Sequence, residues 1–292
     1  MSSAVFPASS PEISVVTRFA PSPTGRLHLG HAYSALLNAR FAAEHGGRFL
    51  LRIEDIDATR CRPELIEGIF EDLGWLGLEW ETPVRRQSAH MADYGAALDR
   101  LSAMGLLYPC FCTRKDIAAE VARSGAAPHG PDGPLYPGLC KHLSEDERQA
   151  RIASGQSYAL RLHTDRAFEA AGPLVWHDAQ AGDIPADPLS LGDVVLARKE
   201  TPSSYHLAVT VDDALQGVTH IIRGQDLFHA THIHRLLQAL LGLPTPLYRH
   251  HGLLTDENGQ RLAKRAGSPS LADLREQGWT REDVLRRLGF EA

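Results

Sequence analysis

Apolar positions in the first sixty residues follow two periods. Residues 14–19 (SVVTRF) form a short apolar run that reads as a buried strand, and a Pro/Ser/Gly turn, PSPTGRLHLG, follows it. HAYSALLNARFAAEHGG then carries apolar residues at helical spacing and stops at glycine, and RFLLRIED reads as a second strand. Strand, glycine-bearing turn, helix and strand make a βαβ unit. This predicts an α/β fold with the turn at the carboxyl end of a strand, where such sheets bind ligands.

Further along, residues 63–77 and 90–105 have helical spacing. Residues 109–199 change character: clustered cysteines, a Gly/Pro-rich loop (SGAAPHGPDGPLYPG) and short strand-like runs read as an insertion. The strand–helix rhythm resumes at Ser204 with YHLAVTVDD and THIIRG, then a helix over about 226–241, broken by Pro244 and Pro246. A last piece holds GLLTDENGQRLAKRAGS and a helix-like tail. The expected division is a disordered lead-in at 1–13, two catalytic halves at 14–108 and 200–245 around the insertion at 109–199, and a loop with a short helical tail at 246–292.

Composition narrows the classes. The 292 residues, 43% hydrophobic and 23% charged, suit a globular protein, and a net charge of −6 gives no support for general nucleic-acid binding, although one local basic face would suffice. No run approaches the roughly 20 apolar residues of a membrane span, and the N-terminus lacks a signal-peptide pattern. A cytoplasmic monomer is the expectation, in which Cys61, Cys110, Cys112 and Cys140 are not disulfides.

Three groups carry chemistry. In RFAPSPTGRLHLGH, Gly25 and Gly30 permit close backbone approach to a nucleoside triphosphate, the helix start offers N–H groups, and His28 and His31 fall on one face of a turn as donors to the α-phosphate region. RLAKRAGS (residues 261–268) is a basic loop able to close over the phosphates from the other side, with Lys264 as the charge for departing pyrophosphate. Cys110, Cys112 and Cys140 supply three thiolates, and a structural zinc site needs a fourth ligand, from Tyr136, His142, His129 or a water. Cys61 stands apart from them.

HLGH (residues 28–31) resembles the HIGH motif of class I aminoacyl-tRNA synthetases, and LAKRA stands at the place of the KMSKS loop, keeping Lys264 but not the serines. RFAPSPTGRLHLGH, LLRIEDIDATR and VDDALQGVTHIIRGQDL, in that order, are similar to the glutamyl/glutaminyl branch. The resemblance implies a Rossmann-like catalytic domain with an inserted zinc-bearing subdomain, using ATP with Mg²⁺ and L-glutamate. It implies His28, Gly30, His31 and Lys264 at ATP. Chemistry and family together put Arg18 and Arg223 at the glutamate carboxylates, Glu54 at its ammonium, Tyr205 as a wall with a hydroxyl donor, and Ala20 and Ser22 at backbone contacts. The competing readings are an Arg223–Asp226 salt bridge and a strand-end cap for Glu54. The resemblance favours Tyr136 as the fourth zinc ligand. The sequence ends at Ala292, without the helical anticodon-binding domains of tRNA(Glu)-charging enzymes. In this it resembles their truncated paralogues, which transfer glutamate to the queuosine base of tRNA(Asp). The alternatives are a shortened tRNA(Glu)-charging enzyme and a non-catalytic synthetase-like binding protein.

Overall fold

The computed structural model describes residues 14–123, 129–130, 133–199, 201–254 and 269–290. The expected loop at 261–268, with Lys264, therefore lies outside the described residues, as does the side chain of His129. The βαβ unit forms as read: β1 (Val16–Phe19), α1 (Leu29–Glu44) and β2 (Arg48–Ile53). All four residues of β1 are buried, as a strand covered on both faces requires. The turn from α1 into β2 passes so close to β1 that a Cβ on Gly47 would lie 2.3 Å from the Val15 carbonyl oxygen. Next come α2 (Pro63–Trp75), entered through a proline in its first turn, and β3 (Glu81–Arg86), so that β1, β2 and β3 form a parallel sheet in that order.

After α3 (Met91–Ala103), the stretch read as an insertion divides between two sheets. It holds β4 (Leu107–Cys110), α4 (Arg114–Arg123), β5 (His129–Gly130) paired antiparallel with β6 (Gly133–Pro134), α5 (Glu145–Ala153), β7 (Ala159–Leu162), α6 (Thr164–Ala171), β8 (Val175–Asp178), β9 (Gly182–Pro185) and β10 (Val195–Arg198). Strands β10, β7 and β4 make an antiparallel sheet of their own. Strands β8 and β9 instead extend the sheet of β11 (His220–Gly224) and β12 (Leu247–His251), in the order β11-β12-β8-β9.

The apolar run YHLAVTVDD is helix: α7 (Tyr205–Leu215), capped by the Ser204 side chain. Every residue from Leu207 to Asp213 is buried, so no polar face marks the helical period. Helix α8 (Ala230–Leu240) joins β11 to β12, and α9 (Leu271–Glu276) and α10 (Arg281–Arg287) end the described chain. The last two helices are docked, burying Leu271, Leu274, Val284, Leu285, Leu288 and Phe290 in one core with α1, α2 and the β1-β2-β3 sheet. A second core packs α3, α6, α7 and α8 together. The β1-β2-β3 and β11-β12-β8-β9 sheets abut where Val16 N donates to Thr219 Oγ1 at 2.8 Å and Thr219 N donates to the Val16 carbonyl at 3.0 Å. Strands β1 and β11 thus lie side by side with their carboxyl ends at one crevice, at a point where the chain turns to opposite halves of the sheet. Among the described residues no helix is long and apolar enough to cross a membrane.

Helix α7 is held to the first sheet by buried charge. Asp213 takes Arg18 Nε at 3.0 Å and Arg52 Nη1 at 2.8 Å. Asp212, fully buried, accepts from Arg85 Nε at 2.7 Å, Gln87 Nε2 at 2.8 Å and the Tyr94 hydroxyl. Breaking such a pair strands a charge away from water. Replacing Asp212 by Ala is expected to lower unfolding free energy by about 3–5 kcal/mol in urea titrations. Removing the exposed Arg48–Glu81 pair by Glu81→Ala should lower it by less than about 1 kcal/mol, because solvent screens it.

Candidate active site

The crevice between β1 and β11 holds a cavity of about 420 Å³. Its wall includes Arg18, Ala20, Ser22, Glu54, Tyr205 and Arg223 together with His28, Gly30 and His31. The residues read from sequence are therefore brought together, apart from Lys264, which is not described. The chain leaves the cavity wall at Leu254 and is described again at 269, and Ser270 pairs with His28 while Leu271 N donates to the Leu27 carbonyl at 2.8 Å.

The spacing of the two histidines has a local cause. His28 is the N-cap of α1, and its Nδ1 accepts from Gly30 N at 3.1 Å, while His31 Nδ1 accepts from His28 N at 3.2 Å. This is a capping box built from two imidazoles. Because each Nδ1 accepts, each ring carries its proton on Nε2 and is a donor there. One of the N–H groups of the helix start, that of Gly30, is thus engaged by His28.

The two arginines differ in how they are held. Arg18 is gripped through Nε and Nη2 by the two oxygens of Asp213, and its Nη1 makes no hydrogen bond to a described residue. Burial works against the Asp213 carboxylate, but Arg18 and Arg52 outweigh it and keep its pKa below the usual range. Arg223 is also buried, yet it makes no ion pair with any described residue, so the competing reading of an Arg223–Asp226 salt bridge does not hold. Nε donates to His250 Nε2 at 3.1 Å, Nη1 to the Tyr205 hydroxyl at 3.2 Å and to His234 Nδ1 at 3.4 Å, and Nη2 to Thr231 Oγ1 at 2.6 Å and the Leu227 carbonyl at 3.1 Å. All five N–H groups are matched, and every match is neutral. The histidines stay neutral because burial, then the Arg223 charge, pushes His250 down to about 4 and His234 well below its ordinary value. His250 donates its Nδ1 proton to Asp178 at 2.8 Å, which fixes Nε2 as the acceptor for Arg223. A buried cation surrounded by neutral acceptors retains its full attraction for a carboxylate entering the cavity.

Tyr205 oxygen accepts from Arg223, so its own proton is available to a ligand, and burial raises its pKa and keeps it protonated. Glu54 receives Arg52 Nη2 at 3.3 Å, so it is more than a strand-end cap. Burial raises the Glu54 pKa, with Arg52 and Arg18 pulling it back. An ammonium beside it would favour the carboxylate form. Sequence reasoning missed Asp213, Arg52, His234, His250 and Asp178. The available signal was VDD, two adjacent acids inside an apolar run, which can be buried only against cations.

A separate cluster sits at the end of β4. The sulfurs of Cys110, Cys112 and Cys140 lie within 4.8 Å of one another. The Tyr136 hydroxyl oxygen is 3.3 Å from Cys110 Sγ and 3.6 Å from Cys112 Sγ, and it accepts from Cys140 N at 2.8 Å. The Arg161 guanidinium lies 3.8 Å over the Tyr136 ring. His142 is exposed and is not part of the cluster. The three sulfurs converge as a cluster compatible with a metal ion, with the Tyr136 oxygen beside them.

Residues 14–292 match the family model described as tRNA synthetases class I (E and Q), catalytic domain. The chain is 49% identical, over 94% of its length and 100% of the relative, to the Glutamyl-Q tRNA(Asp) synthetase of Rhodobacter capsulatus. It is 45% identical to the protein of that name from Nocardia farcinica, over 96% of this chain and 85% of the relative. Among solved structures it is similar to the glutamate-tRNA synthetase of Elizabethkingia anophelis, with a TM-score of 0.79 and 27% identity, covering 94% of this chain and 61% of that one. It therefore spans about three fifths of that solved chain. With its sheet order, its paired histidines and its two buried arginines at one crevice, the chain belongs to the class I tRNA synthetases of the E and Q type, whose catalytic domain it contains.

Proposed function

We propose that the chain activates L-glutamate with ATP to glutamyl-adenylate and transfers the glutamate to the queuosine base of tRNA(Asp). The observation that carries the glutamate specificity is Arg223, a buried cation supplied only with neutral partners among the described residues, beside a second arginine whose Nη1 makes no hydrogen bond to a described residue. Two carboxylates and one ammonium are the complement of Arg18, Arg223 with Tyr205, and Glu54. Relatives 49% and 45% identical, which this chain covers over 100% and 85% of their lengths, are named for the queuosine-directed reaction, and this favours that acceptor over the end of tRNA(Glu).

In the first step the α-carboxylate oxygen attacks the α-phosphorus of ATP and pyrophosphate leaves with its electron pair. His28 and His31 donate from Nε2 to the developing phosphate charge, and Lys264 neutralises the pyrophosphate. Mg²⁺ accompanies ATP as part of the substrate. In the second step a hydroxyl of the queuosine cyclopentenediol attacks the glutamyl carbonyl and AMP departs. Cys110, Cys112, Cys140 and Tyr136 hold one zinc ion, which braces the small antiparallel sheet and takes no part in the reaction. The protein works as a cytoplasmic monomer.

Three measurements test these assignments. Purified protein given labelled glutamate and ATP should label tRNA(Asp) bearing queuosine and leave tRNA(Asp) without queuosine, and tRNA(Glu), unlabelled; equal labelling of tRNA(Glu) would refute the acceptor. Lys264→Ala should slow glutamate-dependent pyrophosphate exchange roughly 100-fold, the scale of losing one transition-state donor; an unchanged rate removes Lys264 from the mechanism. Metal analysis of freshly purified protein should find about one zinc per chain, absent from Cys112→Ser. A metal-free wild type would leave the thiol cluster without its ion.

A further inference from the structure

A second cavity, about 500 Å³, lies against the first and shares Ser22, Glu54 and Tyr205 with it. Whatever occupies it abuts the glutamate site. Its wall is rich in hydroxyls and carries Arg60 and Arg198, both exposed, where an anionic backbone could enter. His206, the second residue of α7, lines this cavity and not the first.

The proton arrangement on His206 follows from a chain of contacts that begins at Arg223. A guanidinium can only donate, so the 3.4 Å contact from Arg223 Nη1 makes His234 Nδ1 an acceptor and puts the His234 proton on Nε2. His234 Nε2 is 3.2 Å from His206 Nδ1, which must therefore accept. Burial, then Arg223, pushes His206 down to about 4, so near neutral pH the ring carries one proton, on Nε2. That nitrogen makes no hydrogen bond to a described residue and is not among the sealed, unsatisfied polar atoms. The order Arg223, His234, His206 runs in one direction, because reversing it would require arginine to accept.

We propose that His206 is a specificity-determining residue of the second cavity, offering its Nε2–H to a hydroxyl or ring acceptor of the incoming nucleoside while the Arg223–His234 chain holds that proton in place. The inference rests on the acceptor proposed above. It also excludes His206 as the base of the transfer step. As the acceptor oxygen bonds to the glutamyl carbon and the bond from that carbon to the AMP oxygen breaks, the hydroxyl proton passes to the departing phosphate. His206 cannot take it, since its Nδ1 lone pair is occupied and its Nε2 is already protonated.

Two independent experiments test this. In the first, single-turnover transfer from preformed glutamyl-adenylate to queuosine-bearing tRNA(Asp) is divided by the glutamate-dependent exchange rate of the same protein. The His206→Leu ratio should fall at least about tenfold below wild type, the scale of one lost hydrogen bond to a polar ligand group, and His206→Gln, whose amide still donates, should recover most of it. An unchanged ratio in His206→Leu, or no recovery in His206→Gln, overturns the proposal. In the second, nitrogen-15 NMR of the histidine rings at pH 7 should find His206 and His234 neutral with the proton on Nε2, and His250 neutral with it on Nδ1. A charged His206, or one protonated on Nδ1, overturns the proposal whatever the activity. A wild type that exchanges pyrophosphate with glutamate but labels no tRNA would instead bring down the acceptor reading, and this inference with it.

Discussion

The site depends on two adjacent aspartates buried on one helix. Asp212 and Asp213 of α7 share Arg52 on β2, and each has a further arginine of its own: Arg85 on β3 for Asp212 and Arg18 on β1 for Asp213. Taking these charges out of water is unfavourable, and the arrangement persists only because each carboxylate has several donors at hydrogen-bond distance. The geometric consequence matters more than the net energy. The α7 backbone cannot slide or turn without exposing a buried charge, so Tyr205 and His206 at its start are set against the carboxyl ends of β1 and β11. Side chains from a helix and two strands thereby form one pocket wall.

Arg18 and Arg223 show how the same side chain serves two electrostatic purposes. Asp213 neutralises Arg18, which keeps its direction and one outward nitrogen. Arg223 is oriented as firmly, by five contacts, but by groups that leave its charge uncompensated. His250 can act this way only while Asp178 holds its proton on Nδ1, where burial opposes the Asp178 carboxylate and the His250 hydrogen bond, with backbone donors, lowers its pKa overall. A carboxylate placed directly on Arg223 would have oriented it equally well and competed with the substrate. Neutral acceptors give direction without that competition.

Much of this was legible before the structure, for identifiable reasons. The βαβ start is readable because its helix carries apolar residues at helical spacing and stops at glycine, its turn is rich in proline and glycine, and its strands are short apolar runs. The thiol cluster was legible from spacing, and the structure adds Tyr136 against the sulfurs, which spacing left open among four donors. Helix α7 was not legible, because burial on all sides removes the polar face by which a helix is recognised. The attachment of β8 and β9 to the catalytic sheet was not legible either, since pairing between Tyr248 and Asp178 spans some seventy residues and has no local signal. The histidines around Arg223 are scattered at 206, 234 and 250, and nothing short of the fold shows that they meet.

The two histidines at the mouth of α1 connect local structure to chemistry. A phosphate-binding helix start usually presents bare backbone N–H groups. Here one of them, Gly30 N–H, is capped by His28, which would ordinarily diminish an anion site. The cap compensates by its own chemistry. Accepting at Nδ1 forces each imidazole to hold a proton at Nε2, so the backbone donor is exchanged for side-chain donors carried outward on rigid rings whose centroids are 3.9 Å apart. The three-residue spacing is therefore a requirement of mutual capping as well as of the proposed contact with one phosphate. A residue that could donate but not accept at the inner position, such as lysine, would preserve a positive charge and lose the helix start that aims it.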